Sequence, residues 1–374
     1  MRILYVCDAL TIYGGLERVL IEKANWLVEH GDCEVCLLTV NQGSHPIPYP
    51  LHPNVLYDDL DIRFYQQYQF PFWQRFFMSR QLRHLFRERL ANKIQKLMPD
   101  LIICARLDYV RDILKVKGAI PVIFESHSSR LACRFEDKGL LRRLHVWYLQ
   151  LAVRKVQMVV SLTNGDADEW RKLTPHVCVI PNVVHLNKSG SFSNCTTRSV
   201  IYVGRFCKQK DIRSLLHIWK LVYERHPDWR LHIYGGYGEE QETIFADIKQ
   251  INANILVHEP TSDIIERYKE NSVLLLTSRY EPFGLILPEA MSCGLPVVAF
   301  DCPYGPKDIV DDGVDGFLVS DRDIEKFVDR VCLLIENCSL REKMGQNGVR
   351  SSQRYAEKQI MPLWIQLFEQ ISHH

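Results

Sequence analysis

Short apolar segments alternate with helical patterns along almost the whole chain, and this alternation constrains the fold more than any other feature. The apolar segments lack strict polar–apolar alternation, which is typical of parallel strands that helices cover on both faces. In the first half these segments are Ile3–Cys7, Glu34–Val40, Leu101–Cys104, Val122–Glu125 and Met158–Leu162. Between the first two, Glu17–His30 carries one apolar helical stripe, and Gly31 is expected to end that helix. The pattern therefore predicts an α/β protein.

A polar stretch over residues 185–198 interrupts the alternation, and its Gly, Ser and Asn content is typical of a linker. Beyond it the alternation restarts, with predicted strands at Ser199–Val203, Arg230–Tyr234, Ile255–His258, Val273–Thr277 and Pro296–Phe300. We therefore predict two doubly wound, Rossmann-like domains over residues 1–184 and 199–355, joined by that linker. We expect residues 356–374 to form a C-terminal helix that packs back toward the N-terminal domain.

The charge balance argues against a nucleic-acid partner. Lys and Arg total 46 against 45 Asp and Glu, so no chain-wide field attracts a polyanion. Three Asp-x-Asp triplets, at Asp59–Asp61, Asp166–Asp168 and Asp321–Asp323, are expected by chance among this many acids, and we interpret them as solvated or capping groups. The single C-x-x-C, Cys33–Cys36, lacks the second pair that a zinc site needs. We expect no metal site and no cofactor.

The apolar segments are too short for a secretory signal or a membrane span. The N-terminal run holds only about five apolar residues and is better explained as a first strand. Leu144–Thr163 is apolar, but Arg154 and Lys155 interrupt it before it reaches the roughly 18 residues of a transmembrane helix. The scattered cysteines are typical of reduced, buried thiols. We therefore expect a cytoplasmic protein.

A loop after the first predicted strand of the second domain carries a glycine and two cations. Gly204-Arg205 follows Val203 directly, and Lys210 comes five residues after Arg205. Such a loop would clamp a diphosphate in the cleft between the domains, although a solvated surface loop is the alternative. Gly235, after the next strand, would allow close approach to a ligand or simply form a tight turn. Neither G-x-G-x-x-G nor the P-loop pattern occurs, which argues against a dinucleotide oxidoreductase and a P-loop ATPase.

Two acids, Glu281 and Glu289, lie in a segment that joins a predicted strand to a helix. The free N–H groups and the positive dipole end of that helix would form an anion site around Phe283, Gly284 and Leu285. Glu289 lies five residues beyond Gly284, at most about 7.5 Å along a helix axis, where it could accept hydrogen bonds from a ribose. Glu281 lies on the other side of the anion site, where a sugar on the distal phosphate would lie. A helix-capping role would explain Glu289 but not Glu281.

The segment Glu281–Glu289 resembles the E-x7-E signature of the large retaining GT-B glycosyltransferase family often called family 4. Three further elements, Gly14-Gly15-x-Glu17, Ile180-Pro-Asn182 and Gly204-Arg205…Lys210, occur in the order that this family shows. The resemblance covers essentially the whole chain. It implies a GT-B fold, in which two Rossmann-like domains face each other across a cleft, with the acceptor on the N-terminal domain and the nucleotide-sugar on the C-terminal one.

The resemblance also implies roles for individual residues. The catalytic residues would be His127, Glu281, Arg205 and Lys210. The residues that bind the nucleotide-sugar would be Gly15, Asn182, Gly204, Arg205, Lys210, Gly235, Glu281, Phe283, Gly284, Leu285 and Glu289. Among these, Arg205 and Lys210 would hold the diphosphate, Glu289 the ribose, and Glu281 the donor-sugar hydroxyls. His127 matches the histidine that approaches the reacting sugar from the N-terminal domain.

Two loops bear on the substrates. The glycine turn at Gly235 departs from the G-x-G-P that the family often has, whereas Asp301–Ile309 is similar to a variant common in enzymes of bacterial surface polysaccharides. The expected donor is a UDP-hexose or UDP-N-acetylhexosamine, and the expected acceptor is a hydroxyl of a growing glycan or lipid-linked glycan. The alternatives are a nucleotide-sugar 2-epimerase of related fold and a catalytically silent scaffold that binds nucleotide-sugar.

The segment Arg63–Lys96 combines aromatic residues with eight Lys and Arg against the single acid Glu88. Aromatics beside a basic helix suit an anionic membrane surface, which attracts each cation by about 1 kcal/mol. A helix that buries its aromatics in the core and leaves its cations solvated is the alternative. The resemblance favours the first interpretation, a peripheral contact with the cytoplasmic face of the membrane.

Overall fold

A seven-stranded parallel sheet forms the N-terminal half of the protein. The computed structural model describes residues 1–12, 14–132 and 139–372. The sheet has the order β3-β2-β1-β4-β5-β6-β7. Its strands are β1 Arg2–Val6, β2 Glu34–Thr39, β3 Leu56–Asp59, β4 Leu101–Cys104, β5 Val122–Ser126, β6 Met158–Ser161 and β7 Val177–Val179. The labelled helices are α1 Gly15–His30, α2 Phe72–Leu97, α3 Leu107–Val116, α4 Leu140–Ala152 and α5 Asn164–Arg171.

A six-stranded parallel sheet of order β10-β9-β8-β11-β12-β13 forms the C-terminal half. Its strands are β8 Ser199–Gly204, β9 Arg230–Gly235, β10 Ile255–His258, β11 Val273–Leu276, β12 Val297–Phe300 and β13 Gly316–Val319. The helices are α6 Ile212–Arg225, α7 Gln241–Gln250, α8 Ile264–Lys269, α9 Ile286–Ser292, α10 Gly305–Ile309, α11 Ile324–Glu336, α12 Cys338–Ser352 and α13 Glu357–Ser372. In both sheets the strand order reverses beside the first strand, which is the doubly wound arrangement. The predicted fold class is confirmed.

The central strands of both sheets are buried on both faces, as the apolar runs predict. In β1, Ile3 and Tyr5 belong to one apolar cluster, whereas Leu4 and Val6 belong to another on the opposite face of the sheet. Side chains of successive strand residues point to opposite faces, so a strand between two helix layers must be apolar at every position. This explains why strict polar–apolar alternation is missing.

Three strands, β3, β7 and β13, were not predicted from the sequence, and all of them are short and lie at a sheet edge. The strand β3 is mostly exposed, so it has no apolar run that marks it, and β7 spans three residues. The end of α1 also differs in detail. The helix ends at Gly31 as expected, but Gly31 has a φ of −103°, and the residue in the left-handed region is Asp32, with a φ of 48°.

Two segments connect the halves. The backbone amide of Asn187 donates to Ser292 Oγ at 3.0 Å, and that of Ser193 donates to the Cys293 carbonyl at 2.8 Å. The segment over 185–198 therefore packs against the C-terminal half. The last helix, α13, returns to the N-terminal half, where Trp364 and Phe368 share an apolar cluster with Tyr5. Within the described ranges, no helix is both long and apolar enough to cross a membrane.

Candidate active site

The residues singled out from the sequence follow the carboxyl ends of strands. Gly15 opens α1 after β1, His127 follows β5, and Gly204 ends β8. Loops at the carboxyl ends of parallel strands share one edge of a sheet, where open α/β sheets bind ligands. The two edges also meet: the backbone amide of Asn164 donates to Asp308 Oδ2 at 2.6 Å across the two halves. The candidate site therefore lies between the domains.

Gly15 allows a close approach of the two halves. A Cβ atom at this position would lie 2.7 Å from Leu285 Cδ1, which is well inside van der Waals contact. The glycine lets the loop after β1 approach the residue that precedes α9. Gly284, one position earlier than Leu285, has a φ of 95°, a conformation that glycine adopts without strain. Backbone geometry therefore explains glycine at both motif positions: close approach to the other half at Gly15, and a positive φ at Gly284.

Glu281 is buried and held by two donors. Lys210 Nζ lies 2.5 Å from Glu281 Oε1, and Ser278 Oγ donates to the same oxygen at 2.6 Å. Glu281 is 4% exposed. A carboxylate accepts hydrogen bonds at both oxygens, so Oε2 has capacity for a ligand hydroxyl. The sequence placed Lys210 and Glu281 on different parts of the ligand, and the structure adds a direct ion pair between them.

The backbone of Glu281 is fixed by the loop before α10. The Glu281 amide donates to the Pro303 carbonyl at 2.6 Å, and the amides of Tyr304 and Gly305 donate to the Glu281 carbonyl at 2.9 and 2.8 Å. Gly305 packs against the backbone of Phe283, because a Cβ atom there would lie 1.8 Å from the Phe283 carbonyl oxygen. The sequence of this loop indicated only the kind of donor, and its support of the Glu281 backbone was not predicted.

Glu289 is held by one residue from each domain. Its carboxylate forms an ion pair with Arg18 of α1 and accepts from Tyr268 Oη at 3.3 Å. Glu289 is buried, and burial also raises the pKa of Tyr268. Neither partner was predicted from the sequence, although Arg18 directly follows Glu17 of the motif near the N-terminus. The carboxylate expected to face a ribose is therefore already engaged across the cleft.

Arg205 is exposed and lies near the N-terminal half. Burial raises the pKa of the Glu17 carboxyl, and the positive charge of Arg205 opposes that rise. The guanidinium therefore acts on a residue of α1 from the loop after β8. A cation in this position is available to an anionic ligand between the domains.

Gly235 has a structural explanation in this protein. Its φ is 147°, and a Cβ atom there would lie 2.0 Å from the Gly204 carbonyl oxygen. The last residues of β8 and β9 therefore touch through their backbones, and glycine is required for that contact. This backbone contact explains the glycine without a ligand, and a role of Gly235 in ligand binding stays a prediction.

The other predicted residues, Phe283, Asn182 and His127, lie in the loop before α9, in the segment after β7 and directly after β5. Phe283 is buried and packs edge-on against Tyr355 at a ring distance of 5.3 Å. Asn182 is buried in the segment after β7. His127 Nε2 lies 3.2 Å from Glu125 Oε1 on the N-terminal side.

The Asp-x-Asp triplets serve local structure. Asp166 accepts hydrogen bonds from the Arg130 amide and from Ser161 and Trp170, and burial raises its pKa. Asp323 caps α11 through the Lys326 amide. In the ranges that the structure describes, no group of three or more His, Cys, Asp and Glu side chains could hold a metal ion.

Two doubly wound domains that meet at their carboxyl edges define the GT-B class, and a solved structure of this architecture matches the chain over its whole length. A mutant of Staphylococcus aureus TarM, in complex with fondaparinux, alpha-GlcNAc-glycerol and UDP, has a TM-score of 0.80 and 15% sequence identity. The match covers 98% of this chain and 99% of TarM. At this identity the likeness concerns the fold alone.

Family comparison identifies the chain further. Residues 13–188 match the model described as Glycosyltransferase Family 4, and residues 187–351 match that of Glycosyl transferases group 1. The protein belongs to this glycosyltransferase family, and the resemblance read from the sequence is confirmed.

Two relatives align along nearly their full length. An uncharacterized glycosyltransferase of Haemophilus influenzae is 27% identical over 358 residues, covering 94% of this chain and 95% of the relative. The amylovoran biosynthesis glycosyltransferase AmsD of Erwinia amylovora is 27% identical over 378 residues, covering 97% of this chain and 98% of AmsD.

Proposed function

We propose that the protein transfers a sugar from a UDP-hexose or UDP-N-acetylhexosamine to a hydroxyl of a growing glycan or lipid-linked glycan in polysaccharide biosynthesis, with retention of configuration. The observation that carries the proposal is the buried Glu281 carboxylate, held by Lys210 and Ser278 beside the start of α9. The name of AmsD and the UDP bound to TarM support this substrate class. The C-terminal half would hold the nucleotide-sugar, and the N-terminal half the acceptor.

Each charged group has a task in such a transfer. Arg205 and Lys210 would neutralise the departing diphosphate, which is the electrostatic work that a metal performs elsewhere. Glu281 would hold the donor-sugar hydroxyls, and its bond to Lys210 links sugar orientation to diphosphate binding. The leaving phosphate oxygen would take the acceptor proton on the face from which it departs. This reaction needs neither an enzymic nucleophile nor a metal ion.

A panel of nucleotide-sugars tests the proposal. Only a ligand that binds the native state raises the melting temperature, so UDP-glucose, UDP-galactose, UDP-N-acetylglucosamine, GDP-mannose and free UDP are compared by thermal shift. We expect UDP and one UDP-sugar to stabilise the protein, and that sugar to appear on a glycan acceptor. Stabilisation by GDP-mannose alone would contradict the UDP assignment, and a C2-inverted sugar formed without acceptor would indicate an epimerase.

We also propose that α2 and α4 contact an anionic membrane surface. Trp73, Phe76 and Phe77 of α2 are 79%, 60% and 68% exposed, so the helix does not bury them in the core. The core contacts of α2 come instead from Phe86 and Leu90. The helix α4 adds a second set of exposed apolar residues, Leu140, Leu144 and Trp147.

The cations of α2 are not equally available to a membrane. Arg83 lies 2.7 Å from Asp112, Arg87 lies 3.5 Å from the same acid, and Lys93 pairs with Asp58. The charge near the exposed aromatics therefore comes mainly from the first turns of the helix, such as Arg80. Exposed aromatic and basic side chains together suit the interface of an anionic bilayer.

Vesicle sedimentation tests this contact. Binding to anionic vesicles should weaken as salt shortens the Debye length to roughly 10 Å at 0.1 M. Replacing Trp73, Phe76 and Phe77 together by Ser should abolish it, whereas Lys343→Ser on the distant α12 should not. Equal binding to neutral and anionic vesicles would contradict the electrostatic part of the proposal.

A further inference from the structure

A lysine is buried on the inner face of α1, among residues that are otherwise apolar. Lys23 is 2% exposed, and its neighbours on this face include Leu20, Ala24 and Leu27. Its ammonium lies 3.9 Å from the ring centre of Trp364 on α13 and 5.1 Å from that of Tyr5 on β1. Burial in this setting is costly for a charge, and it lowers the pKa of Lys23. The charge therefore needs a partner inside the domain.

That partner is Glu125, near the carboxyl end of β5. Lys23 Nζ hydrogen bonds to Glu125 Oε1, and the Glu125 side chain is 1% exposed. A buried ion pair is weak evidence for stability, because two apolar side chains of similar volume often stabilise a core as well or better. Packing alone therefore does not explain the pair. A third residue close to Glu125 suggests a function for it.

The neighbour is His127, two residues further along the chain. Its Nε2 atom lies 3.2 Å from Glu125 Oε1, yet neither His127 Nε2 nor Glu125 Oε2 has a hydrogen-bond partner among the described residues, and both atoms are buried. Buried polar atoms without partners are rare in folded proteins and need an explanation. Hydrogen bonds at catalytic groups are often misaligned without substrate and tighten when it binds.

We propose that Lys23 and Glu125 are positioning residues for His127. Lys23 keeps the Glu125 carboxylate ionised inside the domain. The carboxylate then accepts the Nε2 proton of His127, which fixes the ring orientation and leaves Nδ1 as the nitrogen that faces a substrate hydroxyl. This inference rests on the proposed role of His127 at the reacting sugar. It adds two residues, from α1 and β5, that the sequence motifs do not include.

The test replaces the ion pair without leaving a buried charge. Lys23→Met with Glu125→Leu, called the Met/Leu variant below, fills the same space with apolar side chains. Lys23→Met with Glu125→Gln, called the Met/Gln variant, keeps an acceptor for His127. We expect both double variants to fold. Turnover is measured as UDP released from whichever of UDP-glucose and UDP-N-acetylglucosamine stabilises the wild-type protein.

Met/Leu should lower kcat by about 10- to 100-fold with KM for the UDP-sugar little changed, because a misplaced group loses alignment rather than binding. Met/Gln should restore most of that loss. In a His127→Ala background, Met/Leu should cause no additional loss. If Met/Leu keeps wild-type turnover while His127→Ala loses it, the positioning role is wrong and the role of His127 stands. If His127→Ala keeps wild-type turnover, the role of His127 is wrong, and the inference fails with it.

A second readout does not depend on turnover. In ¹⁵N-histidine-labelled protein, the His127 signals are those missing from the His127→Ala spectrum among the fourteen histidines. The wild type should show the tautomer protonated at Nε2, and Met/Leu should shift toward a tautomer mixture. Identical His127 signals in the two proteins would overturn the inference. Should Lys23→Met with Glu125→Leu fail to fold, the same comparison is made with Lys23→Met combined with Glu125→Met, which also removes the acceptor. Unchanged His127 signals there would overturn the inference as well.

Discussion

The two acids of the segment that opens α9 are held in different ways. Glu281 is bound by Ser278 and Lys210, which belong to the same domain. Glu289 is bound by Tyr268 of its own domain and by Arg18 of the opposite one. The position of Glu281 is therefore set within the C-terminal half, and that of Glu289 depends in part on how the two halves meet. A ligand that hydrogen bonds to Glu289 must share the carboxylate with Arg18. Four experiments probe this difference, beginning with the largest expected effect.

Glu281→Gln should lower turnover by about 100-fold or more and leave UDP affinity near that of the wild type. The neutral amide loses the ion pair with Lys210 and holds the donor sugar less well, but free UDP carries no sugar. Turnover and calorimetric UDP affinity are measured on the same preparation. Wild-type turnover in this variant, or in Glu281→Ala, would contradict the central assignment of the site.

Lys210→Met and Arg205→Met should each weaken UDP binding by about 1.5–3 kcal/mol, the typical contribution of a hydrogen bond to a charged group. Because Lys210 also holds Glu281, its variant should lose more turnover than that of Arg205. Lys208→Met, in the same loop, is the matched control and should bind UDP normally. Unchanged calorimetric UDP affinity in both variants would mean that this loop does not bind the diphosphate.

Glu289→Gln should weaken UDP and the UDP-sugar equally, by about 1–1.5 kcal/mol, because both ligands contain the ribose. Arg18→Met should couple to Glu289→Gln by about 1 kcal/mol in a double-mutant cycle of stability, since the two side chains touch. Arg18→Met and Glu281→Gln should instead be additive. Additive effects of Arg18 and Glu289 would mean that the interdomain ion pair does not stabilise the protein.

Removing metal should have the smallest effect. If Arg205 and Lys210 neutralise the diphosphate, protein treated with EDTA should keep its transfer rate within about twofold. The rate is compared before and after addition of Mn²⁺ or Mg²⁺. A rate that returns only with metal would mean that a metal ion, and not Arg205 and Lys210, neutralises the diphosphate.

Much of the fold and part of the site follow from local pattern. Apolar runs such as Leu101–Cys104 predict strands buried on both faces, because a two-layer environment requires apolar side chains at every position. Glu281 and Gly284 are also predictable, since they lie within a few residues of a strand end whose place at the sheet edge is set by the fold. The exposed strand β3 was not predicted, because a strand at the edge of a sheet does not need apolar side chains at every position.

The sequence by itself thus determined the α/β class and the family, and it placed candidate residues at the strand ends. Only the tertiary structure decided which of those residues touch: Arg18 and Glu289 are 271 positions apart, and Lys23 and Glu125 are 102 apart. It also decided that Phe76 and Phe77 of α2 are exposed, although their composition equally suits a core. The spacing of apolar residues along the chain indicates which face of a helix or strand is apolar. Contacts between distant segments depend instead on how whole elements dock, and no local pattern encodes that docking.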